Sequence, residues 1–273
     1  MSAPSLAERI DESYRELTPQ EQRGADFLRQ HLVDLAVYNL TEVATLSGVS
    51  KATISRLYRR LGFDSAEDLR DHARALRASG TPVAGAVPAS LEAHLDREQG
   101  NLRAALAEVD PRAAARVLSD ARRVLVIGFR NSYPMALHLR QQLAQARDGV
   151  EVAPHPGQSV GEELASIDAR DAVVLIGLRR RPELFGAVAA AVRGTGAAVI
   201  LITDAGGRRH AAAGDLVVEC STDSVGAFDS YAAVASVISL IADAVLARRE
   251  ADGRRRVRMI DELYDRLDEL EPR

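Results

Sequence analysis

The chain of 273 residues has no tryptophan, a single cysteine and few aromatic side chains of any kind. The lone Cys220 excludes an internal disulfide and a cysteine-rich zinc site. Its flanks, VVEC, read as a strand end, where a buried thiol is expected rather than a nucleophile. No stretch of about 18 uninterrupted apolar residues occurs, and the first residues lack a signal-peptide pattern. A soluble, cytoplasmic protein with no membrane partner is therefore expected. Excess positive charge is also missing: the net charge is −4. That excludes a globally basic nucleic-acid coat, so any DNA contact must come from a local basic face. Lysine is nearly absent, Lys51 being the only one among 35 basic residues. No paired acid and base, metal-ligand cluster or cofactor motif stands out, so no catalytic residue, metal or cofactor is expected.

What is present is an apolar fraction of 47%, enough over this length for two domains with real cores. The first is organised around Leu40–Gly62, LTEVATLSGVSKATISRLYRRLG. Thr41 can cap a short helix with Val43, Ala44 and Leu46 as its apolar positions. Gly48 suits a tight turn, because left-handed backbone is cheap there. Ser50 can cap a second helix running through Leu61, with Ile54, Leu57 and Leu61 as its buried stripe. The opposite face shows Lys51, Ser55, Arg56, Arg59 and Arg60. This is the helix-turn-helix pattern, whose second helix enters the major groove of double-stranded DNA. A helical hairpin with a solvated basic face has the same periodicity. The start of the second helix favours the DNA reading: Ser50-Lys51-Ala52-Thr53 is small and hydrogen-bonding, as needed against base edges. The expected DNA contacts are Thr41, Ser50, Lys51, Thr53, Ser55, Arg56, Arg59 and Arg60.

Before this stretch, Ser5–Glu16 is amphipathic, and Thr18-Pro19-Gln20-Glu21 is a helix start with a capping box. Ala25, Phe27, Leu28 and Leu32 give the buried side, and Leu35, Val37 and Leu40 lead onward. After it come Phe63 as a core residue and a capping box at Ser65–Asp68, opening a helix with Leu69, His72 and Leu76. Residues 1–77 thus read as an all-helical domain of roughly five helices. Residues 78–89, ASGTPVAGAVPA, are small and uncharged and read as a linker. Ser90–Asp120 is helical, with Leu91, Leu95, Leu102 and Leu106 spaced as a buried stripe, and Asp110-Pro111 restarts the helix.

From Val124 short β-branched runs alternate with helices. The runs are Val124–Ile127, Val150–Ala153, Ala172–Ile176, Ala198–Ile202 and Leu216–Glu219. Helices are expected at Pro134–Gln145 and Glu183–Arg193, with a shorter one near Gly207–Ala213. Continuous apolar strands are buried on both faces, so this is an α/β domain with a doubly wound, parallel, five-stranded sheet over residues 90–250. Ser230–Ala247 is an almost wholly apolar helix, expected to pack on the sheet and in a subunit interface. A charged amphipathic helix follows in residues 251–273.

A ligand should sit at the carboxyl ends of the strands. There the first run leads into Gly128-Phe129-Arg130-Asn131-Ser132, where the following helix can offer N–H groups and its dipole to an anion. The third leads into Gly177-Leu178-Arg179-Arg180-Arg181-Pro182, three successive arginines that repel unless an anion lies between them or they fan into solvent. The fourth ends in Thr203-Asp204, a hydroxyl-binding or capping pair. Gly128, Arg130, Asn131, Ser132, Arg179, Arg180, Arg181 and Thr203 are the candidate ligand residues. A dinucleotide site is not expected, since no G-x-G-x-x-G follows the first run.

With these residues in view, GVSKATISRLYRRLGF resembles the N-terminal domain of the RpiR/MurR family of bacterial transcriptional regulators. GFRNSYPMA, Gly128–Ala136, resembles the G-x-G-x-S-x-x-x-A opening of the sugar isomerase (SIS) domain. The resemblance implies a homo-oligomer, dimer or tetramer, that binds an operator and senses a phosphorylated sugar or related metabolite. Two departures stand out. Arg130 replaces a glycine of the first motif, and the second loop, S-x-S-G-x-T in the family, reads Gly177–Pro182 here. Arginines stand where hydroxyls hold a phosphate, so the expected effector is a small anionic metabolite read by guanidinium forks. The alternative from another class is a SIS-type sugar-phosphate isomerase with a helical appendage, its base drawn from His155, Glu162 or Glu163.

Overall fold

A computed structural model describes residues 6–32, 35, 38–79 and 90–269. It divides into two compact units, Met1–Arg97 with Asp223–Asp229, and Glu98–Thr222 with Ser230–Arg273. Val37 and the side chain of Leu76 lie outside the described residues, as does the expected linker from residue 80 on; Ala78 and Ser79 belong to a helix.

The first unit holds α1 (Leu6–Ser13), a 3-10 turn (Tyr14–Glu16), α2 (Pro19–Gln30), α3 (Leu40–Ser47), α4 (Lys51–Arg60) and α5 (Ala66–Ser79). Thr18 caps α2 with the expected box: its side chain accepts from Glu21 N, and Glu21 Oε2 accepts from Thr18 N at 2.9 Å. Ile10, Leu28, Leu35, Ile54, Leu57 and Leu69 are fully buried in one cluster. Gly24 lets α2 and α4 approach closely; a Cβ there would lie 2.9 Å from the Ile54 side chain. Arg9 closes the far end of α4. Its Nη1 donates to the carbonyls of Leu61 and Gly62, and its guanidinium lies 4.7 Å from the centre of the Phe63 ring.

The second unit continues with α6 (Leu91–Glu108), which begins in the first unit, and α7 (Pro111–Asp120), whose cap is Asp110. The strands are β1 (Val124–Gly128), β2 (Val150–Ala153), β3 (Ala172–Gly177), β4 (Ala198–Thr203) and β5 (Leu216–Glu219). All pair in parallel in the order β2-β1-β3-β4-β5. Val126, Val174 and Ile200 pack with α7, α8 (Ser132–Ala146) and α11 (Ala232–Arg248). Leu125, Val173 and Leu201 pack on the other face with α10 (Phe185–Gly194). Both faces being covered is why the strands read as unbroken apolar runs. The chain leaves β1 and β3 in opposite directions across the sheet, which opens a crevice at their carboxyl ends.

Several expectations are corrected here. Of the leucine stripe on α6, Leu91 is 88%, Leu95 55% and Leu106 42% exposed, while Asn101 and Ala105 are the buried residues of that helix. Helical spacing marks an apolar stripe without saying what covers it. The apolar α11 spends its surface inside the chain, on α7, α8 and the sheet, through Val234, Val237, Ile238, Ile241 and Val245. The segment near Gly207–Ala213 is a 3-10 turn, Ala205–His210, and α8 and α10 start at Ser132 and Phe185. A short α9 (Gly161–Leu164) was not anticipated, and α12 (Glu250–Leu267) begins directly after α11. Among the described residues no helix is long and apolar enough to cross a membrane.

Candidate functional site

Two sets of residues carry chemistry, one in each unit. In the first unit, Gly48 holds φ +66° and turns α3 into α4, and Ser50 caps α4 by accepting from Thr53 N at 3.2 Å. The α4 stripe of Ile54, Leu57 and Leu61 is buried, which leaves Lys51, Arg56, Arg59 and Arg60 exposed and Ser55 half-buried on the outward side. Three expectations fail in detail. The cap of α3 is Asn39, whose Oδ1 accepts from Thr41 N and Glu42 N, so Thr41 lies within the first turn. Leu46 is exposed rather than buried. Thr53 is buried, its hydroxyl 2.9 Å from Ser50 Oγ and accepting from Arg56 Nη2, so it shapes the helix start instead of presenting to a groove.

Arg60 is also committed. Its Nη1 donates to Glu16 O at 2.9 Å and its Nε lies 3.7 Å from Glu21 Oε1. The Glu21 carboxyl is held below the usual range, first by the Thr18 backbone N–H, so it stays ionised although buried. Thr18, Glu21, Arg56, Arg59 and Arg60 together line a shallow concavity of about 300 Å³. Sequence spacing could not bring Thr18 and Glu21 to the α4 arginines; only the α2–α4 packing does.

In the second unit, the loops after β1 and β3 leave neighbouring strands, with Gly128 beside Ile176 in the ladder. Gly128 is obligatory, since a Cβ would lie 2.6 Å from Ser132 O and 2.8 Å from Ala136 Cβ. Ser132 is buried, and its Oγ accepts the Leu178 N–H at 3.1 Å, tying the two loops together. Arg130 is exposed and Asn131 beside it is exposed too; Arg179 and Arg180 are half-buried. Arg130 and Arg180 both adopt left-handed backbone, at φ +53° and +66°. A non-glycine residue there costs roughly 1–2 kcal/mol, and such strain is held at sites where the loop shape matters.

Two further ligand candidates, Arg181 and Thr203, serve the scaffold instead. Arg181 Nη1 donates to Gly177 O at 2.8 Å and to Asp204 Oδ2 at 2.9 Å, a largely buried ion pair that turns it from the crevice. Thr203 is fully buried and its hydroxyl donates to Gly177 O at 2.7 Å. Asp204, as expected of a capping residue, accepts Gly207 N at 3.0 Å. The start of α8 is not the open amide cradle anticipated. Ser132 N and Tyr133 N donate to Phe129 O and Arg130 O, and Pro134 has no N–H. The short-range bonds that tighten this turn consume the donors. For the isomerase alternative, Glu162 accepts Ser159 Oγ at 3.0 Å, and its pKa is lowered, chiefly by its own backbone N–H. A general base working near neutrality needs the opposite shift.

A sequence profile for the helix-turn-helix domain of the rpiR family matches residues 5–75, and a SIS-domain profile matches residues 117–244. The two domains are those of the RpiR family. Comparison with curated proteins returns no match. Among solved structures, the sugar isomerase domain of an RpiR transcription factor from Sphaerobacter thermophilus is similar at 21% identity. It covers 62% of this chain and 96% of that one, with a TM-score of 0.55. The Vibrio vulnificus NanR protein complexed with ManNAc-6P is similar at 16% identity, over 96% of this chain and 99% of that one, with a TM-score of 0.56. At these identities the likeness is one of fold. Arg130 and Arg180 hold the left-handed backbone that glycine adopts most cheaply.

Proposed function

We propose that this RpiR-family chain is a DNA-binding transcriptional regulator whose SIS unit senses a small anionic metabolite. The reading assigns DNA contact to residues 1–77, effector binding to residues 90–250, and an appended helix to residues 251–273. The observation that carries it is the outward face of α4, Lys51, Arg56 and Arg59 on a Ser50-capped helix after a left-handed glycine turn. An enzyme with a helical appendage has no use for such a face. No catalytic role is assigned to any residue.

The effector class follows from Arg130 and Arg180 at the mouth of the crevice. Guanidinium forks favour bidentate carboxylate or phosphate. The solved Vibrio NanR complex with ManNAc-6P supports a sugar phosphate, and a carboxylate-bearing sugar fits the same forks. Self-association to at least a dimer is part of the reading, since one helix-turn-helix spans too few base pairs for specificity. The exposed Leu91, Leu95 and Leu106 on α6 support it. The test is selection from a random duplex pool. The wild type should enrich a two-fold symmetric motif, and Lys51→Ala with Arg56→Ala should not; a wild type that enriches nothing contradicts the reading.

A further inference from the structure

The concavity between α2 and α4 belongs to neither the crevice at the strand ends nor the base-reading start of α4. It holds three guanidinium groups, Arg56, Arg59 and Arg60, and one carboxylate, Glu21, an excess of two positive charges. Glu21 does not cancel this excess. Its Oε2 is occupied by the Thr18 N–H and hydroxyl, and its Oε1 lies toward Arg60 Nε. Arg60 is thereby fixed in position, with Glu16 O as a second anchor. Arg56 is steadied by Thr53 Oγ1 at 3.3 Å. Arg59 is exposed at the same opening. Converging, pre-positioned guanidiniums around a hollow repel each other unless an anion enters, and their planar donors match a phosphate's oxygens.

We propose that this concavity is a phosphate seat for one backbone phosphate of double-stranded DNA, with Thr18 at its rim. The inference rests on the DNA-binding reading above and adds to it a division of labour. Lys51, at the start of α4, faces the bases. Arg59 and Arg60, a little over two turns on, with the start of α2, grip the backbone and set the register. Contacts of that kind position a protein without reading sequence.

The test uses the full chain and a duplex of about 30 random base pairs, so no operator is needed. Affinity is measured by fluorescence anisotropy across a salt series. Arg59→Ala should weaken binding roughly five- to tenfold at about 0.1 M salt and lower the salt slope by about 1. Thr18→Asp gives the second arm. Aspartate caps a helix as well as threonine but lacks the hydroxyl that donates to Glu21 Oε2, so a thermal melt of the variant accompanies the titration to show that α2 persists while a carboxylate enters the seat. Binding should fall on every sequence, with Thr18→Ser unaffected. Wild-type affinity and slope in both Arg59→Ala and Thr18→Asp overturn the seat while leaving DNA binding intact. A wild type that binds no duplex overturns the DNA reading itself, and the seat with it. Calorimetry with inorganic phosphate at constant ionic strength separates the sources. Saturable micromolar binding lost in Arg59→Ala would assign the seat to a free phosphorylated ligand and overturn the DNA assignment.

Discussion

Ser132 Oγ accepts the backbone N–H of Leu178 at 3.1 Å, and both residues are buried. A hydroxyl expected to hold a ligand therefore holds the second ligand loop in place. The same edge of the sheet is laced further, by Thr203 Oγ1 and Arg181 Nη1 converging on Gly177 O. Three strand ends, β1, β3 and β4, are joined by side chains as well as by backbone pairing. Such a girdle keeps Arg130, Arg179 and Arg180 on a fixed frame.

Ser132→Ala should destabilise the chain by about 1–3 kcal/mol, because the Leu178 N–H is left buried without an acceptor. Urea denaturation checks it. A change within error would mean that Leu178 finds another partner and that the loops are not held by this bond.

Glycine at position 130 or 180 should reverse the usual order of residue stability. Arg130→Gly and Arg180→Gly relieve left-handed strain, while Arg130→Ala and Arg180→Ala keep it. Glycine pays back part of that gain through the freedom of its unfolded chain. The glycine variants should exceed the alanine ones by roughly 1 kcal/mol in denaturation, and all four should lose anion response. Alanine variants as stable as glycine variants would show that the backbone is not strained there.

At the amino ends of the strands, Asp171 has a fully buried side chain. It accepts Arg122 Nε at 2.9 Å and Arg122 Nη2 at 2.7 Å, with Asp168 N at 3.0 Å. The Arg122 bond pulls its pKa down to about 2. A carboxyl depressed in the fold contributes its full stability above the unfolded value, near 4, and loses it as pH falls toward the folded one. Asp171→Asn should cost at least about 2 kcal/mol at pH 7. That cost should shrink between pH 4 and pH 2 in a pH series of denaturation curves. A cost independent of pH would mean that shape, not charge, holds the site.

Much of this architecture is legible in the sequence because its causes are local. The strands are unbroken apolar runs, the α2 box is four adjacent residues, and Gly48 sits at a turn that demands it. What is not legible depends on partners far along the chain. Arg181 looks like its two arginine neighbours until Asp204, 23 residues on, pairs with it. Thr203 turns inward because its strand register points it at Gly177. Asn39 takes the cap from Thr41 by two residues, a margin that composition cannot resolve. Of the α6 leucine stripe, Leu102 packs on the core of the second unit, while Leu91, Leu95 and Leu106 stay exposed among the described residues.

That stripe gives the assembly prediction. Light scattering on the full chain should show a dimer or larger, and Leu95→Glu with Leu106→Glu should shift it toward monomer. The wild type behaving as a stable monomer at micromolar concentration would contradict it.

The central claim is that arginine-read anions govern DNA affinity. The affinity for the duplex enriched by the wild type should be measured with a panel of sugar phosphates and acidic sugars, each beside its neutral parent. At least one anionic member should change affinity fivefold or more, in the ordinary range of coupling between sites, about 1–3 kcal/mol. No neutral parent should do so, and Arg130→Ala and Arg180→Ala should not respond while still binding the duplex. A neutral sugar acting as strongly as its anion, or both variants responding like the wild type, would contradict the account.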